Sequence, residues 1–275
     1  MKKIIISVLL VIGLGTVLAA CGNDKEASDK NTIKVGASSV PHAEILEEAK
    51  PILEKEGITL EIQEYEDYVL PNDDLASGKL DANYFQHIPF LKQTISDTGY
   101  ELDYIDGIHI EPIGVYSKGI KSVDKIPDGT EVILSNSVPD HGRVLTLFEK
   151  QGLIKLNESV EKSAATIDDI VENPKNLKFT PKYEAAMLPE FYETEENALV
   201  VINTNYAIGA GLKPTKDGLF IEDEDSPYVN VLAVKKEDKD NQALNKLVEV
   251  LQSEKIQKFI EEKYEGAVVP VGGKK

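Results

Sequence analysis

Arg143 is the only arginine of a 275-residue chain whose other basic side chains are lysines, and it ends the run Asn136-Ser137-Val138-Pro139-Asp140-His141-Gly142-Arg143. That run is rich in turn formers and hydrogen-bonding groups and lies between a predicted strand and a predicted helix, where α/β lobes collect ligands. With Arg143 opening the helix, its planar fork and the free N–H groups there would hold a carboxylate. A surface ion pair is the plainer alternative. A second cluster is Asp81-Ala82-Asn83-Tyr84-Phe85-Gln86-His87. As an extended strand it places Asn83, Phe85 and His87 on one face and Tyr84 and Gln86 on the other. An aromatic ring beside an imidazole would clamp an apolar or sulfur-containing side chain; the alternative puts Phe85 in the core and leaves His87 to cap a strand end.

Amides form a third set. Asn203 and Asn205 follow the apolar run Leu199-Val200-Val201-Ile202, where alternation sends both to one side, and Asn230 follows Ser226-Pro227-Tyr228. Amides donate and accept, which suits an α-ammonium and a carboxylate together, although each asparagine also fits a turn or a cap.

Catalysis finds less support. There is no Gly-x-Ser-x-Gly elbow and no phosphate cradle, and the single cysteine, Cys21, sits near the N-terminus, so no catalytic residue is assigned. His42, His87, His109 and His141 lie on separate segments without metal-ligand spacing, and neither a metal nor a cofactor is expected. The balance of 48 acidic against 30 basic residues, net −18, argues against nucleic acid as a partner.

These groups need a scaffold, and the pattern supplies an α/β one. Ile33 to Ala37 alternates as a strand; Ile45, Leu46, Ala49, Ile52 and Leu53 recur at helical spacing until Gly57; Thr59 to Gln63 is the next strand. A βαβ unit follows, with a parallel sheet. Further elements are predicted as a helix at 73–77, strands at 82–86, 113–116 and 131–134, a helix at 142–151, strands at 198–203 and 229–234, and one long helix over 241–263. Two α/β lobes joined by extended crossovers near Glu111 to Tyr116 and Ser226 to Val234 account for this order; a single doubly wound sheet is the competing arrangement.

Ahead of the fold, Lys2 and Lys3 precede an apolar run from Ile4 to Leu18, too short to span a membrane comfortably and typical of an export signal. Leu18-Ala19-Ala20-Cys21 resembles the bacterial lipobox, which implies cleavage before Cys21 and lipidation of its side chain. Residues 23–31 are polar and read as a tether.

Several segments together resemble the NlpA/MetQ family of methionine-binding lipoproteins: Asp67-Tyr68-Val69-Leu70-Pro71-Asn72, Leu80 to His87, Val171 to Leu177, Ile202 to Ala207, Asp225 to Asn230 and Lys263 to Pro270. The resemblance implies a two-lobed periplasmic-binding-protein fold, type II-like, closing on methionine and delivering it to an ABC permease driven by a cytoplasmic ATPase. It implies that Tyr68, Phe85 and His87 surround the side chain, that Arg143 takes the carboxylate, and that Asn203 or Asn205 with Asn230 holds the amino-acid head; Asn136, which opens the run ending at Arg143, is a further ligand-binding candidate. Ser137, Val138 and Asp140 depart from the family's usual loop. The expected organisation is residues 1–20 as signal peptide, 21–31 as lipidated start and tether, 32–111 with 231–275 as one lobe, and 112–230 as the other. The protein would sit on the extracytoplasmic face of the cell membrane by its lipid. D-methionine or a methionine-containing peptide fits the same reading. The alternatives are a receptor of this fold for another small nutrient or a metal, and a cleft hydrolase.

Overall fold

The computed structural model describes residues 31–224 and 226–272, so the signal, Cys21 and nearly all of the tether lie outside the described residues. None of the described helices is long and apolar enough to cross a membrane.

The first strand, Thr32–Ser38, feeds a helix, Glu44–Lys55, whose Ile45, Leu46, Ala49 and Leu53 are fully buried. Gly57, at φ +76°, ends it: Gly57 N donates to Glu54 O at 3.1 Å and Ile58 N to Leu53 O at 2.9 Å. Both bonds define a left-handed helix end that glycine adopts without strain. The chain then returns in strand Thr59–Tyr65, beside the first.

Two sheets result. The six-stranded sheet runs, in spatial order, Val269–Pro270, Leu102–Ile110, Val229–Lys235, Ala82–His87, Thr32–Ser38 and Thr59–Tyr65. The five-stranded sheet runs Phe220–Ile221, Gly114–Tyr116, Leu199–Ile202, Glu131–Ser135 and Lys178–Tyr183. Each is covered on both faces. Leu199 and Val201 pack in one cluster with Val132 and Leu134, while Val200 and Ile202 pack in another with Ile133. Burial on both sides is why that strand reads as an unbroken apolar run rather than an alternating one. The chain passes between the sheets at Glu111-Pro112-Ile113 and again between Ile221 and Val229, which makes the fold a two-lobed α/β one.

Four expectations change. The helix expected over 241–263 is two, Gln242–Leu251 and Glu254–Tyr264, because Ser253 turns extended at ψ 150° and restarts the chain in a new direction. The helix expected from Gly142 begins at Val138 and runs to Lys150, so Arg143 lies in its second turn and the free N–H groups of the helix start are not beside it. Strand Leu102–Ile110 escaped sequence reading, since bulges against Val229–Lys235 spoil its alternation. Asn230, grouped with the second lobe by sequence, pairs with His109 and His87 in the six-stranded sheet, because its strand already starts at Val229.

Candidate functional site

A cavity opens between the two sheets. One wall is aromatic. Tyr68 lies 5.9 Å, centroid to centroid, from both Phe85 and Phe90, and Phe85 lies 6.1 Å from Phe90. Phe85 arrives at the end of strand Ala82–His87, and Phe90 in the first turn of helix Ile88–Thr98. Phe90 was missed in the sequence, although its position three residues past His87 at a helix start was a usable signal. His87 caps that helix, accepting from Phe90 N on Nδ1 at 3.1 Å. Its proton therefore sits on Nε2, 3.1 Å from Asp140 Oδ1.

The expected alternation of this strand fails at its end. Gln86 does not share the face of Tyr84: it donates to Asn72 Oδ1 at 2.7 Å and to Asn83 Oδ1 at 2.8 Å, because the register against Val231 and Leu232 shifts there. Tyr84 stays in the core, and Phe85, Gln86 and His87 all reach the cavity.

The opposite side is polar and buried. Glu111, just past the strand Leu102–Ile110, accepts from His109 Nε2 at 2.8 Å and lies 3.1 Å from His42 Nε2, and its other oxygen accepts from Asn205 N at 3.0 Å. His42 Nε2 also faces Asn230 Oδ1 at 3.2 Å, and Tyr84 OH meets His109 Nδ1. Burial lowers His42 to about 4 and His109 to about 3, so both rings are neutral at pH 7, and burial raises the carboxyl of Glu111. Nothing in the spacing of these histidines makes them converge, yet His42, His109 and Glu111 bring ligand atoms within 4.8 Å of one another. As hydrogen-bonded here, His109 Nε2 faces Glu111 Oε1 and His42 Nε2 faces Asn230 Oδ1. His141 is elsewhere, with Nε2 3.0 Å from Ser135 O.

Arg143 reaches the cavity from the helix Val138–Lys150 and stacks 4.6 Å over the ring of Tyr228. It is no surface ion pair: its side chain is 4% exposed. Nη1 lies 3.6 Å from Glu222 Oε2, and Nε lies 3.1 Å from Asp140 Oδ1. The Nε–H is nonetheless poorly aimed and makes no hydrogen bond, so the contact with Asp140 is one of charge. Burial works to raise Asp140, but Arg143, His87 and Asn203 outweigh it and hold its carboxyl well below the ordinary range. The guanidinium stays charged because Asp140 and Glu222 outweigh its own burial.

Asn203 and Asn205 both line the cavity, but not as strand neighbours, for a helix starts at Thr204 and Asn203 precedes it. Asn205 is engaged on both sides, accepting from Tyr68 OH at 2.6 Å while its N–H bonds Glu111. Asn203 donates to Asp140 Oδ2 at 3.3 Å, and its Oδ1 is buried without a partner. Thr204 fixes the helix to the crossing segment by donating to Pro112 O at 2.5 Å. Asn136 is not in the site: it is exposed and donates to Glu184 Oε1 at 2.9 Å, since the early helix start leaves it on the outer edge. Asp140 and Glu111 are the charged groups the sequence reading passed over, and only their burial marks them.

The profile of the family described as NlpA lipoprotein matches residues 33–272. The chain is 46% identical to the methionine-binding lipoprotein MetQ of Bacillus subtilis, over 98% of this chain and 99% of that one. Among solved structures, a pheromone cOB1 precursor/lipoprotein of Enterococcus faecalis is 51% identical with a TM-score of 0.85, covering 87% of this chain and 100% of its own. A nutrient-binding protein of Burkholderia cenocepacia bound to methionine is 40% identical with a TM-score of 0.82, again covering 87% and 100%. Matched across almost its whole described length, the chain belongs to the NlpA lipoprotein family.

Proposed function

We propose that the protein is an extracytoplasmic lipoprotein receptor that binds methionine and passes it to an ABC importer. The observation that carries this is the pairing, in one buried cavity between two lobes, of an aromatic wall with a charged polar end. Tyr68, Phe85 and Phe90 offer ring faces and edges to a thioether. Glu111 and the open Oδ1 of Asn203 accept from an α-ammonium, and the Nη groups of Arg143 donate to the carboxyl end. Asn205 and Asn230 act mainly by holding Tyr68, Glu111 and His42 in place, and His87 by tying the aromatic wall to Asp140. Relatives and a structural neighbour named for methionine support the ligand.

In this reading residues 32–111 with 231–275 form one lobe and 112–230 the other, with the sheet margin displaced to Val229, and the two crossings flex as ligand enters. Cys21 carries the lipid, the chain sits on the outer face of the cell membrane, and a permease with a cytoplasmic ATPase takes the ligand on. Calorimetry on ligand-stripped protein tests this. L-methionine should bind at micromolar or tighter Kd, with leucine and Zn²⁺ much weaker. Binding of Zn²⁺ but not methionine, or turnover of an ester or amide, would replace the receptor reading.

A further inference from the structure

Asp140 is 2% exposed and stands directly behind the cavity wall, touching three wall residues: His87 Nε2 at 3.1 Å, Arg143 Nε at 3.1 Å and Asn203 Nδ2 at 3.3 Å. With Glu222 also 3.6 Å from Nη1, the one guanidinium of the site faces two carboxylates before any ligand arrives. A ligand carboxylate placed at Arg143 would gain its attraction and meet the repulsion of both acids, each falling with distance in the same way. A carboxamide at the same place accepts from the guanidinium through its carbonyl oxygen and carries no charge to be repelled. Arg143 thus stays held and desolvated, yet its field at the ligand's carboxyl end is largely cancelled.

We propose that this balance admits a second ligand class, methionine derivatives whose carboxyl group is amidated, and that Asp140 is the positioning residue that sets the tolerance. The proposal rests on the cavity being a methionine site. The remaining recognition is unaffected by amidation: the ammonium still meets Glu111 and Asn203, and the thioether still meets the aromatic wall.

The test compares L-methionine with L-methioninamide by calorimetry on the full-length protein in detergent, freed of carried-over ligand, near pH 6.5 so that both amines are protonated. The wild type should bind the two within about threefold of each other. Asp140→Asn should shift the ratio of their Kd values at least about tenfold toward the acid, since a like charge beside the carboxylate is gone. Asp140→Glu, which keeps the charge, should keep the wild-type ratio, and a purely structural role would weaken both ligands alike and leave the ratio unchanged. A wild type that prefers the acid by more than about thirtyfold, or an Asp140→Asn protein with the wild-type ratio, overturns the proposal and leaves the methionine receptor standing. The wild-type ratio alone decides should the variants not fold. If neither compound binds, the receptor reading falls and this proposal with it.

Discussion

Acid should destabilise the ligand-free protein steeply, because His42 and His109 are buried as neutral rings. Burial depresses them to about 4 and about 3, against 6.5 for an ordinary imidazole. As pH falls below 6.5 the unfolded chain takes up protons that the folded chain refuses, so the stability present at neutral pH is lost on the way down. Each pH unit costs about 1.4 kcal/mol per ring, so the two rings together lose roughly 5 kcal/mol over about two units. Glu111 opposes this. Its raised carboxyl accepts a proton in the folded chain first, returning up to about 1.4 kcal/mol for each unit over which that holds. The net loss is what Glu111 leaves of that amount, set against the roughly 5–15 kcal/mol that holds a domain together. Urea unfolding at neutral pH and near pH 4.5 measures it. His42→Gln with His109→Gln should be less stable at neutral pH, having lost the His109 bond to Glu111 and the His42 bond to Asn230, but should show a much flatter pH dependence. Equal unfolding free energies for the wild type at both pH values, or a double variant with the wild-type slope, would refute the reasoning.

Arg143→Ala should weaken methionine binding by at least about 2 kcal/mol, or roughly thirtyfold, because it also leaves Asp140 buried without its cation. Arg143→Lys should recover only part of this in the same calorimetry, since an ammonium lacks the fork. Glu111→Gln should cost methionine affinity about 2–3 kcal/mol by removing the charge that faces the ammonium, and an unchanged Kd would take Glu111 out of the site. Small-angle scattering should show a smaller radius of gyration with methionine than without; identical curves would exclude closure about the crossings. Cys21→Ala should move the protein from the membrane fraction to the soluble one without changing Kd, and continued membrane sedimentation would contradict a lipid anchor at that residue.

Wiring around Glu111 explains why so many buried polar groups persist in one place. His42, His109, Tyr84, Asn205 and Asn230 come from five segments, and each spends a hydrogen bond on Glu111 or on a neighbour that holds it. A carboxylate that accepts from both His109 Nε2 and Asn205 N is already oriented when an ammonium arrives.

Local pattern was enough for the fold class. The βαβ opening, the glycine that ends helix Glu44–Lys55 and the doubly buried strand Leu199–Ile202 are written in spacing and composition, because each depends on residues close in sequence. Motifs that resembled one family named Tyr68, Phe85, His87, Arg143, Asn203, Asn205 and Asn230, and all seven line the cavity. What surrounds them was not legible. The His42 contact with Asn230 joins residues 188 positions apart, and the Tyr68 contact with Asn205 joins residues 137 apart; no periodicity constrains such pairs. Two register decisions had the same character: the bulge that turns Gln86 to the cavity side, and the early helix start that sends Asn136 out and Asp140 in. Sequence alone fixed which elements form and which residues stand near their ends, since hydrophobic period and turn chemistry act over a few residues. Only the tertiary fold decided that Glu222 joins Asp140 beside Arg143 and that His42 joins His109 beside Glu111, because charge and burial act through space, whatever the distance along the chain.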